Sequence, residues 1–327
     1  MEEGSRMLNM KKRLVGAWLI FVLVFALGSA IAEEGSKGIL YRVENGENTV
    51  YLLGSIHVGN ETMYPLGEVI QTAMESADIF VFECDTSSVE AGEITLKMMF
   101  YTDDTRLKDT IPPDVYQKLQ EVCKLMGYRE QTFQKMRPWA AMAYFSNYAT
   151  GEKLGVADVN RAYALGVEEI VRAFALKNRK SVGYLETTQG QMEHFESMSA
   201  ALQSNLLDTA LSAILHPEDV TGMDSTIEEW PVWWREGKGE KFAESYREAG
   251  REAEANEEEK AFFQEYSDIM LTRRNLSMTD VVEGYLTNET AQTYFVTAGL
   301  LHVVLEEDGI VGGLKERGYV VENLSGV

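Results

Sequence analysis

The feature that most constrains the fold is a strand, helix and strand pattern between residues 49 and 83. Residues 49–56 form a strand-like apolar run, residues 66–77 carry apolar side chains at helical spacing, and residues 78–83 form a second apolar run that ends in Glu83. Two strands joined by a helix in this way favour a right-handed crossover in a parallel sheet. Functional side chains in such a sheet lie at the carboxyl ends of its strands.

The remaining elements extend this pattern at both ends of the chain. Residues 39–43 predict another strand, which the turn-forming residues 45–48 join to the first as a hairpin. The other predicted elements are helices starting at Pro112-Pro113 and at Pro138, a helix at 167–176, a strand at 181–185, helices through 189–282, a strand at 292–298, a helix at 309–316 and a strand at 319–322. We therefore expect an α/β fold: a central mixed β-sheet flanked by helices, with a large helical insertion at about residues 189–282, in a single domain over residues 33–327.

Composition limits the partners that the chain can bind. With 45% hydrophobic residues and 6 Pro in 327, it is a globular protein rather than a disordered one. Its 30 Lys+Arg against 52 Asp+Glu give a net charge of -22, which repels phosphate backbones, so we expect no nucleic-acid partner. Two cysteines, Cys84 and Cys123, are too few for a disulfide scaffold, although an oxidising compartment would allow one bridge.

The first 32 residues have the pattern of an export signal. Residues 10–13 are basic at three of four positions, residues 14–27 are almost continuously apolar, and Ala30 and Ala32 occupy the two positions that signal peptidase reads. We expect residues 1–32 to be a cleaved signal peptide and the mature protein to be exported, periplasmic or extracellular. The alternative is an uncleaved membrane anchor, but the apolar run is short of the ~20 residues that span a bilayer.

Two of the four histidines follow a strand-like run in the same local sequence, Gly-x-x-His. They are His57, which follows Gly54, and His302, which follows Gly299. Glycine at the end of a strand allows either a positive φ or a close approach of the backbone, and both let the chain turn and present the imidazole above the sheet. A single histidine in this setting is usually a hydrogen-bonded structural residue, but the repeated motif favours a pair of metal ligands.

Acidic side chains close two of the strand-like runs. Glu83 follows residues 79–82, and Glu186 follows residues 181–185. An acid at the end of a strand usually faces solvent when it stands alone, but beside two imidazoles it is a candidate metal ligand or proton acceptor. Two histidines and one carboxylate leave coordination positions open on a divalent metal, which lowers the pKa of a bound water toward neutrality.

A basic segment in the predicted helical region offers one further candidate. Arg273, Arg274 and Asn275 lie among apolar residues at helical spacing. They are either a basic spot on a helix surface, or one arginine and the amide point into the site, where they stabilise an oxyanion and orient the substrate. The sequence contains no H-E-x-x-H helix, no G-x-S-x-G elbow and no phosphate-binding G-x-x-x-x-G-K-[ST] loop, which disfavours serine hydrolases and nucleotide-binding proteins.

These motifs, in this order and spacing, resemble the TraB/GumN family. That family is related to the Tiki metalloproteases and, more distantly, to erythromycin-esterase-like and ChaN-like proteins. The resemblance covers nearly the whole mature chain and is carried by YLLGSIHVG at 51–59, RPW at 137–139, GYLET at 183–187, RNLSM at 274–278 and AGLLH at 298–302.

The resemblance implies an α/β fold that holds a metal near the two Gly-x-x-His motifs. In the Tiki branch it implies a peptidase that depends on manganese or cobalt rather than zinc and trims extended N-terminal segments. Carried onto this sequence, it makes His57, Glu83 and His302 candidate metal ligands. It makes Glu186, Arg274 and Asn275 candidates for supporting the ligands, contacting the substrate or taking part in catalysis.

Three hypotheses for the function follow. The first is an exported, metal-dependent hydrolase, a peptidase with a peptide or protein substrate. In that hypothesis Glu186 or Glu83 transfers the proton and Arg274 stabilises the oxyanion. The second is a peptide-binding or sequestering protein without catalysis on the same fold. The third, weaker hypothesis is a haem- or iron-binding protein, by analogy with the ChaN-like relatives.

Overall fold

A six-stranded mixed β-sheet forms the centre of the computed structural model, which describes residues 35–326. Its strands are β1 (Ile39–Asn45), β2 (Asn48–Ser55), β3 (Ile79–Phe82), β4 (Ser181–Tyr184), β5 (Thr293–Gly299) and β6 (Val321–Asn323). Their order across the sheet is β4-β3-β5-β2-β1-β6. Strands β4, β3, β5 and β2 pair in parallel, whereas β1 is antiparallel to both β2 and β6. The predicted mixed sheet is thereby confirmed, and the predicted signal peptide lies outside the described residues.

The predicted hairpin forms from β1 and β2. Asn45 pairs with Asn48, so the connection is a two-residue turn of Gly46 and Glu47. Gly46 has a φ of +61°, a left-handed conformation that glycine adopts without the clash of a Cβ atom. Local sequence thus sets the register of this pair.

Helices fill the connections between the strands. Those before β4 are α1 (Glu68–Ser76), α2 (Val89–Met99), α3 (Pro113–Leu125), α4 (Pro138–Lys153), α5 (Val159–Ala164) and α6 (Val167–Lys177). Those after β4 are α7 (Thr188–Ser197), α8 (Ala200–Leu215), α9 (Trp230–Arg235), α10 (Gly239–Ala253), α11 (Glu257–Ser267), α12 (Arg273–Leu286), α13 (Leu300–Val304) and α14 (Ile310–Glu316). Short 3₁₀ helices occur at Glu61–Met63, Leu107–Asp109, Glu130–Phe133, Pro217–Asp219 and Gly222–Glu229, and one π turn at Asp268–Thr272 links α11 to α12.

The helix boundaries follow their local signals. Pro113 and Pro138 stand at the first positions of α3 and α4, where the missing N–H of proline costs no helical hydrogen bond. Every element from α7 to α12, between β4 and β5, is helical. That run occupies the place of the predicted helical insertion.

Helices cover both faces of the sheet. Phe80 of β3 packs against Phe174 of α6, with ring centroids 5.8 Å apart. On the opposite face, Tyr294 of β5 stacks on Tyr285 of α12, with centroids 4.4 Å apart. The two parallel strands are therefore buried from both sides, as their continuous apolar sequence requires.

A second hydrophobic core lies away from the sheet, among the helices. Residues of α3, α4 and α8 form it, including the fully buried Phe145 and Leu211. Arg137 and Trp139 at the start of α4 both bond Glu196 of α7, at 2.5 and 2.8 Å. These contacts connect the helical core to the chain segment that leaves β4.

Two further observations concern the cysteines and the helices. Cys84 and Cys123 are both buried, and no disulfide joins them. Burial, with the nearby carboxylates Glu83 and Glu186, raises the pKa of the Cys84 thiol to about 12, so it stays protonated at neutral pH. Within residues 35–326, no helix combines the length and the apolar character needed to cross a bilayer.

Trp234 connects α9 to the sheet, and we expect its substitution to lower the stability of the protein. Its side chain is fully buried, and its Nε1–H donates to the Gly54 carbonyl oxygen at 2.8 Å. Trp234→Phe leaves that carbonyl without its partner and should lower the free energy of unfolding by about 1–3 kcal/mol, measured by urea denaturation. Trp233→Phe, in the same helix at a half-buried position, is the control and should cost clearly less. Equal costs at both positions would contradict this account.

Candidate functional site

The predicted site residues lie at one edge of the sheet, where the parallel strands end. Glu83 directly follows β3, Glu186 lies two residues beyond β4, His57 lies two residues beyond β2, and His302 lies in α13 just after β5. Because β5 runs between β3 and β2, the ends follow one another across the sheet as Glu186, Glu83, His302 and His57. The predicted unit of β2, α1 and β3 is parallel, but its two strands are not neighbours, since β5 separates them.

Gly299 marks the point where three of these side chains meet. A Cβ atom at Gly299 would lie 2.9 Å from Glu83 Oε1, 3.3 Å from His302 Cδ2 and 3.6 Å from His57 Nε2. Its φ is -50°, so glycine is needed here for close approach and not for a left-handed backbone. Gly54 serves the same purpose, because a Cβ there would lie 2.7 Å from Leu300 Cδ1. Of the two explanations for the Gly-x-x-His motif, the structure supports close approach.

Asn275 fixes the ring of His302. The Nδ1 atom of His302 lies 2.5 Å from Oδ1 of Asn275, and both side chains are buried. An amide oxygen only accepts hydrogen bonds, so the neutral imidazole donates from Nδ1 and keeps the lone pair of Nε2 free. That Nε2 atom lies 4.0 Å from Glu83 Oε1. Asn275 therefore orients a candidate ligand, and its Nδ2 atom is buried without a hydrogen-bond partner.

Arg274 binds both strand-end acids at once. Its Nη2 atom donates to Glu83 Oε2 at 2.7 Å and to Glu186 Oε1 at 2.6 Å, and its Nε atom donates to Glu186 Oε2 at 3.3 Å. Nη1 donates to the Met270 carbonyl at 3.1 Å. The guanidinium is thus directed at carboxylates, and most of its donors are engaged. The predicted role of Arg274 toward an oxyanion stays a prediction, while these contacts give it a positioning role.

The carboxylate of Glu83 is held in its ionised form. Burial in itself raises the pKa of Glu83, but the imidazole of His302 and the guanidinium of Arg274 outweigh burial and lower it to about 2. His57 and the N–H of Gly299, which donates to Glu83 Oε1 at 2.5 Å, act in the same direction. Burial lowers the pKa of His302 to about 3 despite the adjacent carboxylate, so this imidazole is neutral near pH 7. Arg274 is then the permanent charge that keeps Glu83 ionised.

The site contains three further side chains, and the sequence patterns did not indicate any of them. Gln191 of α7 donates from Nε2 to Glu83 Oε2 and to Glu186 Oε1, at 3.1 Å each. Glu168 of α6 lies 3.8 Å from His57 Nδ1 and accepts a hydrogen bond from Arg172 at 2.6 Å. Glu168 and Arg172 share the buried face of α6 with Val171, and two charges on an apolar helix face are the sequence signal that could have revealed them.

The site opens into a cavity of about 500 Å³, called here the site cavity. His57, Glu83, Arg274, Gly299 and His302 all line it. A second cavity of about 520 Å³, called the side cavity, adjoins it between the helices. The two cavities share seven lining residues: Met142, Ser146, Thr150, Met223, Asp224, Tyr266 and Leu301.

The three candidate ligands fit a divalent metal by type and approach one another beside Gly299 without reaching coordination spacing. Two imidazoles and a carboxylate surround the space that a Cβ of Gly299 would fill, and the His302 lone pair is free to coordinate. Their donor atoms are not all within 4.8 Å of one another; in the described part of the chain, only the exposed cluster of His216, Glu218 and Asp219 meets that spacing. Of the three ligands, His57 has the most freedom to adjust, since its side chain is 52% exposed.

The fold and the site define an α/β protein with a buried ionic cluster at the carboxyl ends of its parallel strands. The sequence profile of the TraB/PrgY/gumN family matches residues 39–323, so the chain belongs to that family. The expected resemblance is confirmed over most of the chain. No curated protein and no solved structure matches the chain significantly.

Gly299→Ala should disrupt the convergence of the three candidate ligands. The added methyl group would stand 2.9 Å from Glu83 Oε1, so the carboxylate must move. We expect affinity for Mn²⁺, measured by isothermal titration calorimetry, to fall by roughly 10- to 100-fold. Gly284→Ala, in α12 with nothing within 4 Å of the new Cβ, is the matched control and should retain full affinity. Equal affinity in both variants would refute the role given to Gly299.

Removing the Arg274 charge should destabilise the protein in a pH-dependent way. Arg274→Met leaves Glu83 and Glu186 buried without their cation and should cost about 3–5 kcal/mol of unfolding free energy at pH 7. The deficit should shrink as the pH falls toward 4, because the pKa of Glu83, now lowered by Arg274, rises in the variant and the carboxylate becomes protonated.

The adjacent Arg273→Met is the matched control. Arg273 is 65% exposed and pairs with Asp268 on the surface, so this change should cost less than about 1 kcal/mol. Chemical denaturation at several pH values measures both variants. A deficit in Arg274→Met that stays constant from pH 7 to pH 4 would show that Arg274 does not act through the carboxylates.

Proposed function

We propose that this protein is an exported, metal-dependent hydrolase that cleaves peptides. The observation that carries the proposal is the convergence of His57, Glu83 and His302 around Gly299, at the wall of the site cavity. These residues come from three different strand ends, and a buried carboxylate is held ionised among them. Such an arrangement is costly to bury and is typical of a functional centre rather than of a structural core.

His57, Glu83 and His302 would hold the metal, and the family resemblance favours manganese or cobalt over zinc. A divalent cation there supplies Lewis acidity and lowers the pKa of water at the site. The protein prepares the site by ordinary hydrogen bonding: Asn275 fixes the His302 tautomer, and Arg274 keeps Glu83 ionised. Glu83 and His302 are therefore in the protonation states that a metal requires.

Glu186 is the candidate for transfer of a proton. Its two oxygens accept from Arg274, and Oε1 also accepts from Gln191, which places its carboxylate beside Glu83 without making it a ligand. A carboxylate held next to a metal centre can take a proton from the attacking nucleophile and deliver it to the leaving amine. His194 Nε2, 3.8 Å from Glu186 Oε2, connects this carboxylate to a partly exposed side chain.

The shape of the cavities favours a peptide as substrate. The site cavity and the side cavity adjoin and share seven lining residues, which suits an extended segment that contacts both. The side cavity is lined largely by apolar and aromatic side chains, among them Phe262, Phe263 and Tyr266. Clefts of this character bind apolar chain segments and orient them with a few polar groups.

The double variant His57→Ala/His302→Ala tests the proposal. It removes both imidazoles, so the purified mature protein should lose bound manganese or cobalt in elemental analysis and should no longer cleave a peptide library read by mass spectrometry. His216→Ala is the matched control, because it changes a histidine outside both cavities and disrupts the exposed cluster of His216, Glu218 and Asp219 as an alternative place for the metal. Unchanged metal content and turnover in the double variant would refute the metallohydrolase.

The same preparations separate the other hypotheses. Peptide affinity that survives chelation, without any cleaved product, would establish a peptide-binding protein in place of the enzyme. A Soret band on titration with haem would establish a haem-binding protein. Loss of metal and turnover in the double variant, with both retained in His216→Ala, supports the hydrolase.

A further inference from the structure

Asp224 provides the one carboxylate in the wall that the site cavity and the side cavity share. It belongs to the 3₁₀ helix Gly222–Glu229, and its side chain is exposed to the cavity space. A chain segment that occupies both cavities would lie against this shared wall, which contains Asp224. The residue is therefore placed to select what binds.

The carboxylate of Asp224 lacks a partner. Among the described residues, no side chain or backbone N–H forms a hydrogen bond or a close ion pair with it. Lys153 donates from Nζ to the main-chain oxygen of Asp224 at 3.0 Å instead of to the carboxylate. Although water in the cavity reaches the side chain, the protein atoms packed around it disfavour the charged form and raise the pKa of Asp224, which Lys153 offsets only in part. A positive charge on a ligand would remove this penalty.

The charges around Asp224 leave a negative excess. Glu259 and Lys153 are the other formally charged side chains that line the side cavity, so two carboxylates face one ammonium group. In the site cavity, Glu83 is already paired with Arg274. Tyr266, which shares the wall with Asp224, offers an aromatic ring of the kind that favours a nearby cation.

We propose that Asp224 selects peptides that carry a positively charged nitrogen at the junction of the two cavities, with apolar residues in the side cavity. This inference rests on the proposed function to the extent that the ligand is a peptide. Two sources supply such a nitrogen, a lysine side chain and the free amino terminus. Both would form a charge-assisted hydrogen bond with the Asp224 carboxylate.

Binding of defined peptides to the whole mature protein tests the inference without requiring turnover. The probes are an apolar octapeptide with a C-terminal fluorophore and one lysine at a scanned position, its norleucine counterpart, and the N-acetylated form of each. Fluorescence anisotropy should show that the wild type prefers the lysine peptide, the free amino terminus or both by roughly 10- to 100-fold. A preference for lysine over norleucine identifies the side chain, and sensitivity to acetylation identifies the amino terminus.

Asp224→Asn should abolish this preference, and Asp224→Glu, which keeps the charge, should retain part of it. Glu228→Gln is the matched control, because Glu228 is an exposed acid of the same 3₁₀ helix that lines neither cavity. It should discriminate as the wild type does. No preference in the wild type, or the same preference in Asp224→Asn, would overturn the inference.

The two proposals fail separately. Asp224-dependent binding of cationic peptides without any cleavage would refute the hydrolase and retain the selectivity. Cleavage that ignores the charge of the peptide would refute the selectivity and retain the hydrolase.

Discussion

The paired ionic contact of Arg274 with Glu83 and Glu186 is the interaction on which the site depends. The guanidinium comes from α12, whereas the two carboxylates end β3 and β4, so one side chain ties the helical segment to two strands of the sheet. Moving three charges into a poorly solvated interior is expensive, and the attraction among them offsets that cost only when the geometry is good. Such a cluster is better understood as a device that fixes positions than as a source of stability.

Small and uncharged groups complete this arrangement. Gly299 leaves room for Glu83 and the two imidazoles, and its N–H donates to the carboxylate that it accommodates. Asn275, adjacent to Arg274 in α12, holds the ring of His302. One turn of α12 thus orients an acid and an imidazole together. The wall of the side cavity, in contrast, is built mainly from helices outside the sheet, so the candidate ligands and the proposed selectivity belong to different parts of the chain.

The sequence predicted those features that depend on neighbouring residues. The hairpin, the proline-started helices and the acids that close β3 and β4 follow from local patterns, and each was found where its pattern indicates. The insertion of β5 between β3 and β2 did not follow, because pairing between strands more than 200 residues apart leaves no mark in a local window.

The partners of the site residues were missed for the same reason. Gln191 reaches Glu83 from a helix more than 100 residues further along the chain. His57 and His302 could be predicted as a pair, since a repeated motif is visible in the sequence itself. Asp224 does not belong to any recognisable sequence motif. The role proposed for it follows only from its position in the wall of both cavities.

The central position of β5 means that the sheet can be completed only late in the synthesis of the chain. Residues near the start of the chain provide β2, β3 and His57. The strand β5, which lies between β2 and β3, and the second histidine, His302, come only with residues 293–304. A growing or shortened polypeptide that ends before this point lacks the strand that separates β3 from β2 and contains only two of the three candidate ligands. The candidate site can thus form only after synthesis is almost finished.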